Sequence, residues 1–565
     1  MDKSGWNMYV FRDGRLSVPG YNLVSALSDA LRTLAEAHDR EKLLTALLAA
    51  GELECALADA GSEHVTQASV ITDAVATALV KDCRVENTER FLAGLKRINP
   101  PEVVQLSVHE GFAYYALHPL KFARVVEALG WNKNVGVVGI RSIGVALSAV
   151  TAAALNACGA TSSRITVRPT GHPYDRKVQL SREQQIWVRE LRDAELLVVD
   201  EGPGLSGSSF LAAAEALERE GLSASSISLL GTRAPDPSGL RAPEAERRWS
   251  RFRSLSTANE PFLPEGADIP LGGGRWRDVL MMPGSARPSS WTQLEALKYV
   301  SSDQTRFFRF EGYGHYGEEA ADRSHELGQA RFSPLYFGNF AGFGCYEYFD
   351  GRPISPDQVT PTVLAHVARY CAFRALEFAH VSTQHTHELE KMVRFNWQNE
   401  FGAELEPGFE LKVVRPAVTD SRMLPHKWLV DATGEIRKVD AATHGDSHFF
   451  PGPCDIAWDL AGAIVEWQLR RDAAQMLLEH YAKCGGDDAR GRISAYEIGY
   501  ATMRMAYSRL AARAMGGTEE EALFARDYER YRQQALEAHR LAYGLRPALM
   551  QMVPHAPEPE GTAAL

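Results

Sequence analysis

The stretch "LLVVDEGPGLSGSSFLAAAEAL" (residues 196–217) contains a strand-like run, two adjacent acids, a loop of small residues and a helical pattern. Four consecutive apolar residues, 196–199, predict a strand that is covered on both faces of a sheet. Apolar residues three and four apart after Ser209 predict a helix. Ligands of open parallel sheets bind beyond the carboxyl ends of the strands. We therefore expect Asp200 and Glu201 to face a ligand.

The loop that follows the two acids has the composition of an anion site. Its glycines allow tight turns, and its serines can donate hydrogen bonds or cap the helix. A helix N-terminus carries free N–H groups and partial positive charge, which favour phosphate. The acids beside it would suit ribose hydroxyls, or a magnesium ion reached through water. The candidate phosphate-binding residues are Gly204, Leu205, Ser206, Gly207, Ser208 and Ser209.

Strand-like and helical segments alternate around this motif from residue 101 to residue 235. This alternation predicts an α/β domain with a parallel sheet. Residues 1–100 have mostly the apolar spacing of amphipathic helices, and we expect them to form a hood or cap. Pro, Gly and Arg are frequent in residues 236–289, which predicts a connector with a domain boundary inside it.

The order of strand, two acids, small-residue loop and helix resembles the ribose-phosphate site of type I phosphoribosyltransferases. The resemblance implies that Asp200 and Glu201 are catalytic residues that contact the ribose hydroxyls of phosphoribosyl pyrophosphate, and that the loop holds its 5-phosphate. The family's Thr-Gly pair is replaced by Leu205-Ser206 or, one residue later, by Ser206-Gly207, so two registers of the loop are open. The alternative is an ordinary strand–loop–helix turn of a Rossmann-like domain.

Two upstream segments extend the resemblance. In "VVGIRSIG" (residues 137–144), a strand ends in a turn where the family places its pyrophosphate loop, which implies a contact of Arg141 with pyrophosphate. In "ITVRPTGHPYDRK" (residues 165–177), Arg168 follows another strand, and a polar stretch suited to a mobile flap comes next. Cations and magnesium would stabilise the negative charge that develops on the leaving pyrophosphate, and this would be the main contribution to catalysis of ribosyl transfer.

A second motif lies in "VTDSRMLPHKWLVDATGEIRKVDAATHGDSHFFPGPCDIAWDLAGAIVEW" (residues 418–467), where an acid, a hairpin around Thr433-Gly434 and a further acid precede a helix. This order resembles the C-lobe of the aminoglycoside-phosphotransferase branch of kinase-like folds. The resemblance implies that Asp420 is the catalytic base and that His426 and Asp440 hold magnesium on ATP. The family's Asn position is occupied here by Pro425. By the same resemblance, Asp455 and Asp459 in "DIAWDLA" are architectural.

Other segments of this half carry further expectations. The strand-like "RFFRFEGYGHYG" (residues 306–317) resembles the strand that supplies the ATP-phosphate lysine, and Arg309 stands there instead, with Lys298 as an alternative. The helical partner of that cation would be Glu318, Glu319 or Glu326. In "HGDSHFF", His444, Asp446 and His448 alternate as metal ligands can, although such a stretch is more often a polar loop.

The composition limits the class of protein. The chain of 565 residues is 45% hydrophobic and 24% charged, with a formal net charge of −11, which argues against a protein built to grip nucleic acid. No apolar run reaches the roughly 20 residues that span a bilayer. Seven cysteines form no CxxC pair and suit free thiols in a reducing compartment. We expect a cytoplasmic protein that acts on small molecules.

Together these patterns predict an α/β phosphoribosyltransferase-like domain at 101–235 and an α+β, two-lobed kinase-like domain at 290–545, with a helical N-terminal region and a loose tail at 546–565. The first hypothesis is a bifunctional enzyme that uses phosphoribosyl pyrophosphate, magnesium and ATP. The second is a ligand-sensing regulator whose kinase-like domain is degenerate. A third is a hydrolase or phosphorylase with a phosphoribosyltransferase fold. The phosphoribosyltransferase resemblance also suggests a homodimer.

Overall fold

The computed structural model describes residues 8–12, 14–281, 284, 286–381, 384–485 and 487–544. The predicted tail at 546–565 lies outside the described residues. The chain separates into two compact units. We call residues 14–263 with 312–317 the parallel-sheet unit, and residues 8–12, 264–311 and 318–544 the C-terminal unit. No helix in the described part of the chain is long and apolar enough to cross a membrane.

The parallel-sheet unit alternates strands and helices over most of its length. In chain order its elements are β1 (Arg15–Pro19), α1 (Gly20–Glu36), α2 (Arg40–Asp59), α3 (Val65–Lys81), α4 (Thr88–Leu95), β2 (Val103–Ser107), α5 (Glu110–Ala113), α6 (Leu120–Leu129), β3 (Asn134–Ile140), α7 (Gly144–Ala157), β4 (Thr161–Val167), β5 (Thr170–His172), β6 (Asp175–Lys177), α8 (Arg182–Glu190), β7 (Glu195–Val199), α9 (Ser208–Arg219), β8 (Ile227–Gly231), α10 (Ala245–Trp249) and β9 (Arg253–Ser256).

Five of these strands form one sheet in the order β4-β3-β7-β8-β9, and every neighbouring pair is parallel. The prediction of an α/β domain with a parallel sheet is therefore confirmed. The central strand β7 is buried at residues 196–199, as its apolar run predicts. Because all five strands point the same way, their carboxyl ends share one edge of the sheet. That edge receives the loops that follow β3, β4 and β7.

The N-terminal helices belong to the same unit as the parallel sheet. Most of α2 is buried, and Gly51 in its middle packs so closely on α7 that an added Cβ would lie 3.3 Å from the Cβ of Ala146. Arg164 on β4 donates hydrogen bonds of 2.8 and 2.7 Å to the two carboxylate oxygens of Glu54 on α2, and it also pairs with Asp73 on α3. These contacts fix the helices against the sheet.

The C-terminal unit begins with a small antiparallel sheet and continues with helices. Its elements are β10 (Ile269–Pro270), α11 (Trp276–Leu280), β11 (Lys298–Val300), β12 (Arg306–Phe310), α12 (His315–Gln329, of which the first three residues count in the other unit), β13 (Tyr336–Phe340), β14 (Phe343–Glu347), β15 (Arg352–Pro353), α13 (Pro361–Glu377), α14 (Gln384–Phe401), β16 (Pro416–Ala417), β17 (Trp428–Val430), β18 (Ile436–Lys438), β19 (Cys454–Asp455), α15 (Ala457–Glu466), α16 (Arg471–Gly485), α17 (Ile493–Ala514) and α18 (Glu519–Tyr543).

The antiparallel sheet has the order β10-β11-β12-β14-β13, with α12 between β12 and β13 in the chain. The helical part is built around fully buried side chains that include Trp397, Trp428 and Trp458. The predicted hairpin is present as β17 and β18, which pair antiparallel across the turn at Thr433-Gly434. The loop before β17 and the end of β18 carry the acids that the sequence singled out.

Candidate functional site

Asp200 and Glu201 lie together at the carboxyl end of β7, where the sequence predicts them. The Asp200 carboxylate accepts a hydrogen bond of 2.8 Å from the Glu201 N–H. The Glu201 carboxylate accepts one of 3.1 Å from the N–H of Gly111, at the start of α5. Each carboxyl group therefore has one oxygen fixed by the backbone, and the second oxygen has no such bond among the described residues.

The surroundings make ionisation of this pair unfavourable. Burial raises the pKa of Asp200 to about 7. Burial, followed by the neighbouring charges of Asp200 and Glu110, raises the pKa of Glu201 to about 8. A ligand that brings hydroxyl donors or a cation to this edge would stabilise the ionised carboxylates. Near neutral pH, the two carboxyl groups therefore tend to keep their protons.

The loop after the two acids turns back tightly on itself. Gly204 and Gly207 have φ of 57° and 68°, a region in which residues with a Cβ are strained. The Gly207 N–H donates to the Pro203 carbonyl at 2.8 Å. Within the described residues, the amides of Gly204, Leu205 and Ser206 have no acceptor, and α9 begins at Ser208. These amides and the N-terminus of α9 lie in the loop where the sequence predicts an anion site, and binding of an anion there stays a prediction.

The serine hydroxyls of this loop are engaged by the hairpin of β5 and β6. The hydroxyls of Ser206 and Ser208 donate to the Pro173 carbonyl at 3.0 and 2.6 Å. Ser209 is half-buried, and the Leu205 side chain is 48% exposed, so Leu205 contributes to the loop through its backbone. A phosphate that used the Ser206 or Ser208 hydroxyl would have to replace the Pro173 carbonyl.

Arg141 and Arg168 meet at the same edge, beyond the ends of β3 and β4. Arg168 donates to the Arg141 carbonyl at 2.7 Å. Both guanidinium groups bind Asp59, the last residue of α2, with distances of 2.9 Å from Arg141 and 3.0 Å from the Arg168 Nε. Burial alone would raise the pKa of Asp59, but the hydrogen bonds from Arg168 and Arg141 lower it. The two predicted cations are brought together, with a carboxylate from the N-terminal region between them.

A cluster beside this edge was missed by sequence reasoning. His109 is buried, and neither ring nitrogen has a hydrogen-bond partner among the described residues. Its Nδ1 lies 3.9 Å from the carboxylate of Glu52 on α2, which accepts a bond of 2.8 Å from the Tyr316 hydroxyl. Burial lowers the pKa of His109 to about 3, so its ring is neutral. No local pattern could have linked residues so distant in the sequence.

In the C-terminal unit, Asp440 follows β18 and is surrounded by cations. Its carboxylate lies 2.9 Å from the ammonium of Lys298, 2.5 Å from that of Lys427 and 3.2 Å from the guanidinium of Arg309. Burial alone would raise the pKa of Asp440, but these cations hold that pKa well below its ordinary value. Burial lowers the pKa of Lys427 to about 7, although the negative charge of Asp440 acts to raise it.

Asp420 is fully buried and has partners on all sides. Its carboxylate lies 2.8 Å from the ammonium of Lys438 and accepts a hydrogen bond from the Tyr370 hydroxyl. The amides of Asp420 and Ser421 donate to the Asp459 carboxylate at 2.7 and 2.9 Å. Asp459 therefore shapes the loop, and Asp420 is engaged in an internal ion pair.

The magnesium site implied for this unit does not match the side chains around Asp440. His426 stacks on Trp276, with ring centroids 5.2 Å apart, and the next residue, Lys427, is the one that reaches Asp440. No group of three His, Cys, Asp or Glu side chains in the described chain could hold a metal. Both oxygens of Asp440 carry cations instead. His444 is buried and His448 stacks on Phe11; nothing is described of the Asp446 side chain.

The acidic partner of Arg309 is also different from the predicted glutamates. Besides Asp440, the acid nearest to Arg309 is Glu311, at 3.9 Å. Among the three predicted residues, Glu319 pairs with Arg323 at 3.8 Å and is largely exposed. Glu311 accepts a hydrogen bond from the Tyr346 hydroxyl, and burial raises its pKa to about 7. The predicted alternative cation, Lys298, contacts Glu295 at 3.0 Å as well as Asp440.

Several solved structures that are similar to part of this chain are kinases or phosphotransferases. A choline/ethanolamine kinase family protein from Mesorhizobium loti is 18% identical, with a TM-score of 0.31, over 44% of this chain and 90% of its own. The choline kinase LicA from Streptococcus pneumoniae is 12% identical, with a TM-score of 0.32, over 46% and 92%. A spectinomycin phosphotransferase solved with ADP and spectinomycin is 10% identical, with a TM-score of 0.29, over 46% and 92%.

Each of these matches covers somewhat less than half of this chain and at least nine-tenths of the solved structure. No protein-family model and no curated protein matches the sequence.

Proposed function

We propose that the parallel-sheet unit binds phosphoribosyl pyrophosphate and transfers its ribosyl group to a small acceptor. One observation carries this proposal. Two adjacent carboxyl groups, each partly fixed by a backbone amide, stand at the end of the central strand, directly before a loop with free amides and a helix N-terminus. Ionisation of two adjacent, half-buried carboxyls with raised pKa values is favoured by a partner, and ribose hydroxyls next to a bound phosphate would supply one.

Each part of this substrate has a counterpart at the carboxyl edge of the sheet. The hydroxyls of ribose would donate to Asp200 and Glu201, and the 5-phosphate would accept from the amides of residues 204–206 and the start of α9. The pyrophosphate would lie against Arg141 and Arg168. In the reaction the bond from C1 of ribose to the pyrophosphate oxygen breaks, the electron pair leaves with pyrophosphate, and a lone pair of the acceptor forms the new bond to C1.

At this edge of the sheet, the side chains that could bind magnesium are the two carboxyl groups of Asp200 and Glu201. Their oxygens are hard ligands of the kind that magnesium prefers, while no third side-chain ligand stands with them among the described residues. Asp200 and Glu201 could therefore hold the ion only together with water and substrate oxygens. When bound, magnesium would neutralise charge on the leaving pyrophosphate. The side chains themselves orient the ribose and stabilise the positive charge that develops on it.

We further propose that His109 and Glu52 receive the acceptor. The neutral His109 ring offers one donor and one lone pair, neither of which has a partner in the described structure. A planar nitrogen heterocycle could satisfy both groups, and burial of an unpaired imidazole is otherwise costly. Glu52 lies 3.9 Å from the His109 Nδ1, and its carboxylate accepts a hydrogen bond from the Tyr316 hydroxyl.

Calorimetric titration of the full chain with phosphoribosyl pyrophosphate and magnesium tests the main proposal. The Asp200→Asn, Glu201→Gln variant should bind at least about 100-fold more weakly, since several charge-assisted hydrogen bonds are lost. Asp193→Asn, an exposed acid just before β7, is the matched control and should bind like the parent. Equal binding by the parent and the double variant would contradict the proposal, as would absence of binding by the parent.

A second candidate function concerns the C-terminal unit, which we propose binds a phosphate-bearing ligand without acting as an efficient phosphotransferase. Arg309 on β12 and Asp440 after β18 converge on one buried cluster, which supports ligand binding. The complete burial of Asp420, with Lys438 and Tyr370 on its carboxylate, argues against its service as a base. Incubation with ATP and magnesium should give no ADP above that of an Asp420→Asn variant.

A further inference from the structure

The side chains around Asp440 leave no room for a divalent cation. Lys298 and Lys427 contact one carboxylate oxygen, Oδ2, and Arg309 contacts the other, Oδ1. A metal ion bound to either oxygen would lie within a few ångströms of an ammonium or guanidinium group, and like charges at that distance repel strongly in a buried site. A metal ion would have to displace at least one of these cations.

We infer that the C-terminal unit binds the phosphate groups of its ligand without a divalent metal, and that Lys298, Arg309 and Lys427 supply the positive charge in its place. The inference rests on the ligand-binding role proposed for this unit, and is independent of the ribosyl transfer proposed for the parallel-sheet unit.

The charge count of the cluster opposes a further cation. Its basic side chains are Lys298, Arg309 and Lys427, and the acids that contact them are Glu295, Asp440 and Glu311. With all six groups ionised, the three positive and three negative charges balance. A further cation would therefore be uncompensated in a buried setting, which is costly.

Arg309 also has donors without an acceptor. It is 6% exposed, and its Nε and Nη1 have no hydrogen-bond partner in the described structure, because the approach to Asp440 lacks suitable geometry. A small pocket adjoins this guanidinium and is lined by side chains that include Phe307, Pro334, Tyr346 and Lys438. Phosphate oxygens bind guanidinium groups through charge-assisted hydrogen bonds, and Nη1 of Arg309 is a donor that could make one while Nε stays beside Asp440.

The first test is a calorimetric titration with ATP in EDTA and again in magnesium chloride, using the Asp200→Asn, Glu201→Gln chain so that the parallel-sheet unit does not contribute a ribose site. ATP should bind in EDTA, and magnesium should not strengthen binding more than about twofold. Titration with pyrophosphate shows whether the phosphate chain alone is recognised or the nucleoside is also required; either result supports the anion site. Binding of ATP that requires magnesium would overturn the inference, and so would no binding under either condition.

Variants locate the site. Arg309→Gln and Lys427→Asn should each weaken ATP binding in EDTA at least about tenfold, because each removes a charge-assisted contact. Lys391→Gln, an exposed lysine on α14, is the matched control and should change nothing. Undiminished binding by folded Arg309→Gln and Lys427→Asn proteins would overturn the inference.

A metal titration covers the case in which these variants fail to fold. Manganese added alone to the Asp200→Asn, Glu201→Gln chain should leave the spectrum of the free ion unchanged in electron paramagnetic resonance. Binding of one equivalent that is lost in Asp440→Asn would overturn the inference.

Discussion

At the scale of single residues, the carboxyl groups of Asp200 and Glu201 after β7 make the stability of the fold depend on pH. The pKa values of Asp200 and Glu201 are raised to about 7 and about 8, above those of the unfolded chain. Between about pH 4 and pH 8 the folded state therefore holds more protons than the unfolded state, so stability is greatest below this window and falls as pH rises through it.

The Asp200→Asn, Glu201→Gln variant should lose this pH dependence. Relative to the parent, it should gain up to about 6 kcal/mol of unfolding free energy between pH 5 and pH 8.5, the sum for the two raised pKa values. Thermal unfolding followed by calorimetry at several pH values measures the difference. Asp193→Asn serves as the control and should keep the slope of the parent. Parallel pH profiles of the double variant and the parent would show that the pair ionises freely in the folded protein.

Another residue-scale prediction concerns Arg164, whose guanidinium is almost completely buried between Glu54 and Asp73. Arg164→Met removes the partner of Glu54 and leaves its buried carboxylate uncompensated. We expect a loss of about 3–5 kcal/mol in unfolding free energy, and recovery of much of it in the double variant Arg164→Met, Glu54→Gln. Denaturant unfolding measures both values. If Arg164→Met were as stable as the parent, the pair of Arg164 and Glu54 would not be what fixes α2 to β4.

At the scale of elements, the turn into α9 depends on two glycines that differ in their surroundings. An added Cβ at Gly207 would lie 2.9 Å from Leu240 and 3.0 Å from Trp249, whereas at Gly204 it would meet nothing within 4 Å. Both residues have positive φ, so both substitutions by Ala strain the backbone by about 1 kcal/mol.

Only Gly207→Ala should also displace the loop. We expect it to weaken binding of phosphoribosyl pyrophosphate at least about tenfold, because the amides before α9 would move. Gly204→Ala is the matched control for strain alone, and calorimetric titration compares the two. Equal effects on binding would mean that backbone strain, rather than the close contact with Leu240 and Trp249, decides the shape of the loop.

The same elements show what the sequence could predict. The alternation of apolar strands and helices was sufficient for the parallel sheet and for the strand, loop and helix around Asp200, since these signals are local. The hairpin of β17 and β18 was predicted from Thr433-Gly434 for the same reason.

The partners of the candidate residues could not be predicted. Asp59 reaches Arg141 and Arg168 only because α2 packs along the sheet, and His109 meets Glu52 and Tyr316 across long separations in the chain. The choice between His426 and Lys427 at Asp440 is decided by a single turn of 3-10 helix before β17, a difference of one residue that spacing arguments do not resolve.

At the scale of the whole molecule, the chain passes more than once between its two units. Residues 8–12 belong to the C-terminal unit, where the Val10 carbonyl accepts a bond of 2.9 Å from the Phe450 N–H. Residues 312–317 belong to the parallel-sheet unit, although the chain on both sides of them does not. The Tyr313 N–H donates to the Phe112 carbonyl at 3.0 Å, and the Tyr313 ring is 1% exposed. A short segment thus completes a core to which it is distant in sequence.

Tyr313→Ala in the full chain should therefore destabilise the parallel-sheet unit. Removal of a fully buried aromatic ring, which packs edge-on against His118 with centroids 5.3 Å apart, should cost about 3–5 kcal/mol. Hydrogen exchange read by mass spectrometry should show faster exchange in β3 and β7, with little change in α17. Tyr21→Ala, a tyrosine on α1 that is 58% exposed, is the control and should leave all three segments unchanged. Faster exchange confined to residues 312–317 would mean that this segment lies on a core that is complete without it.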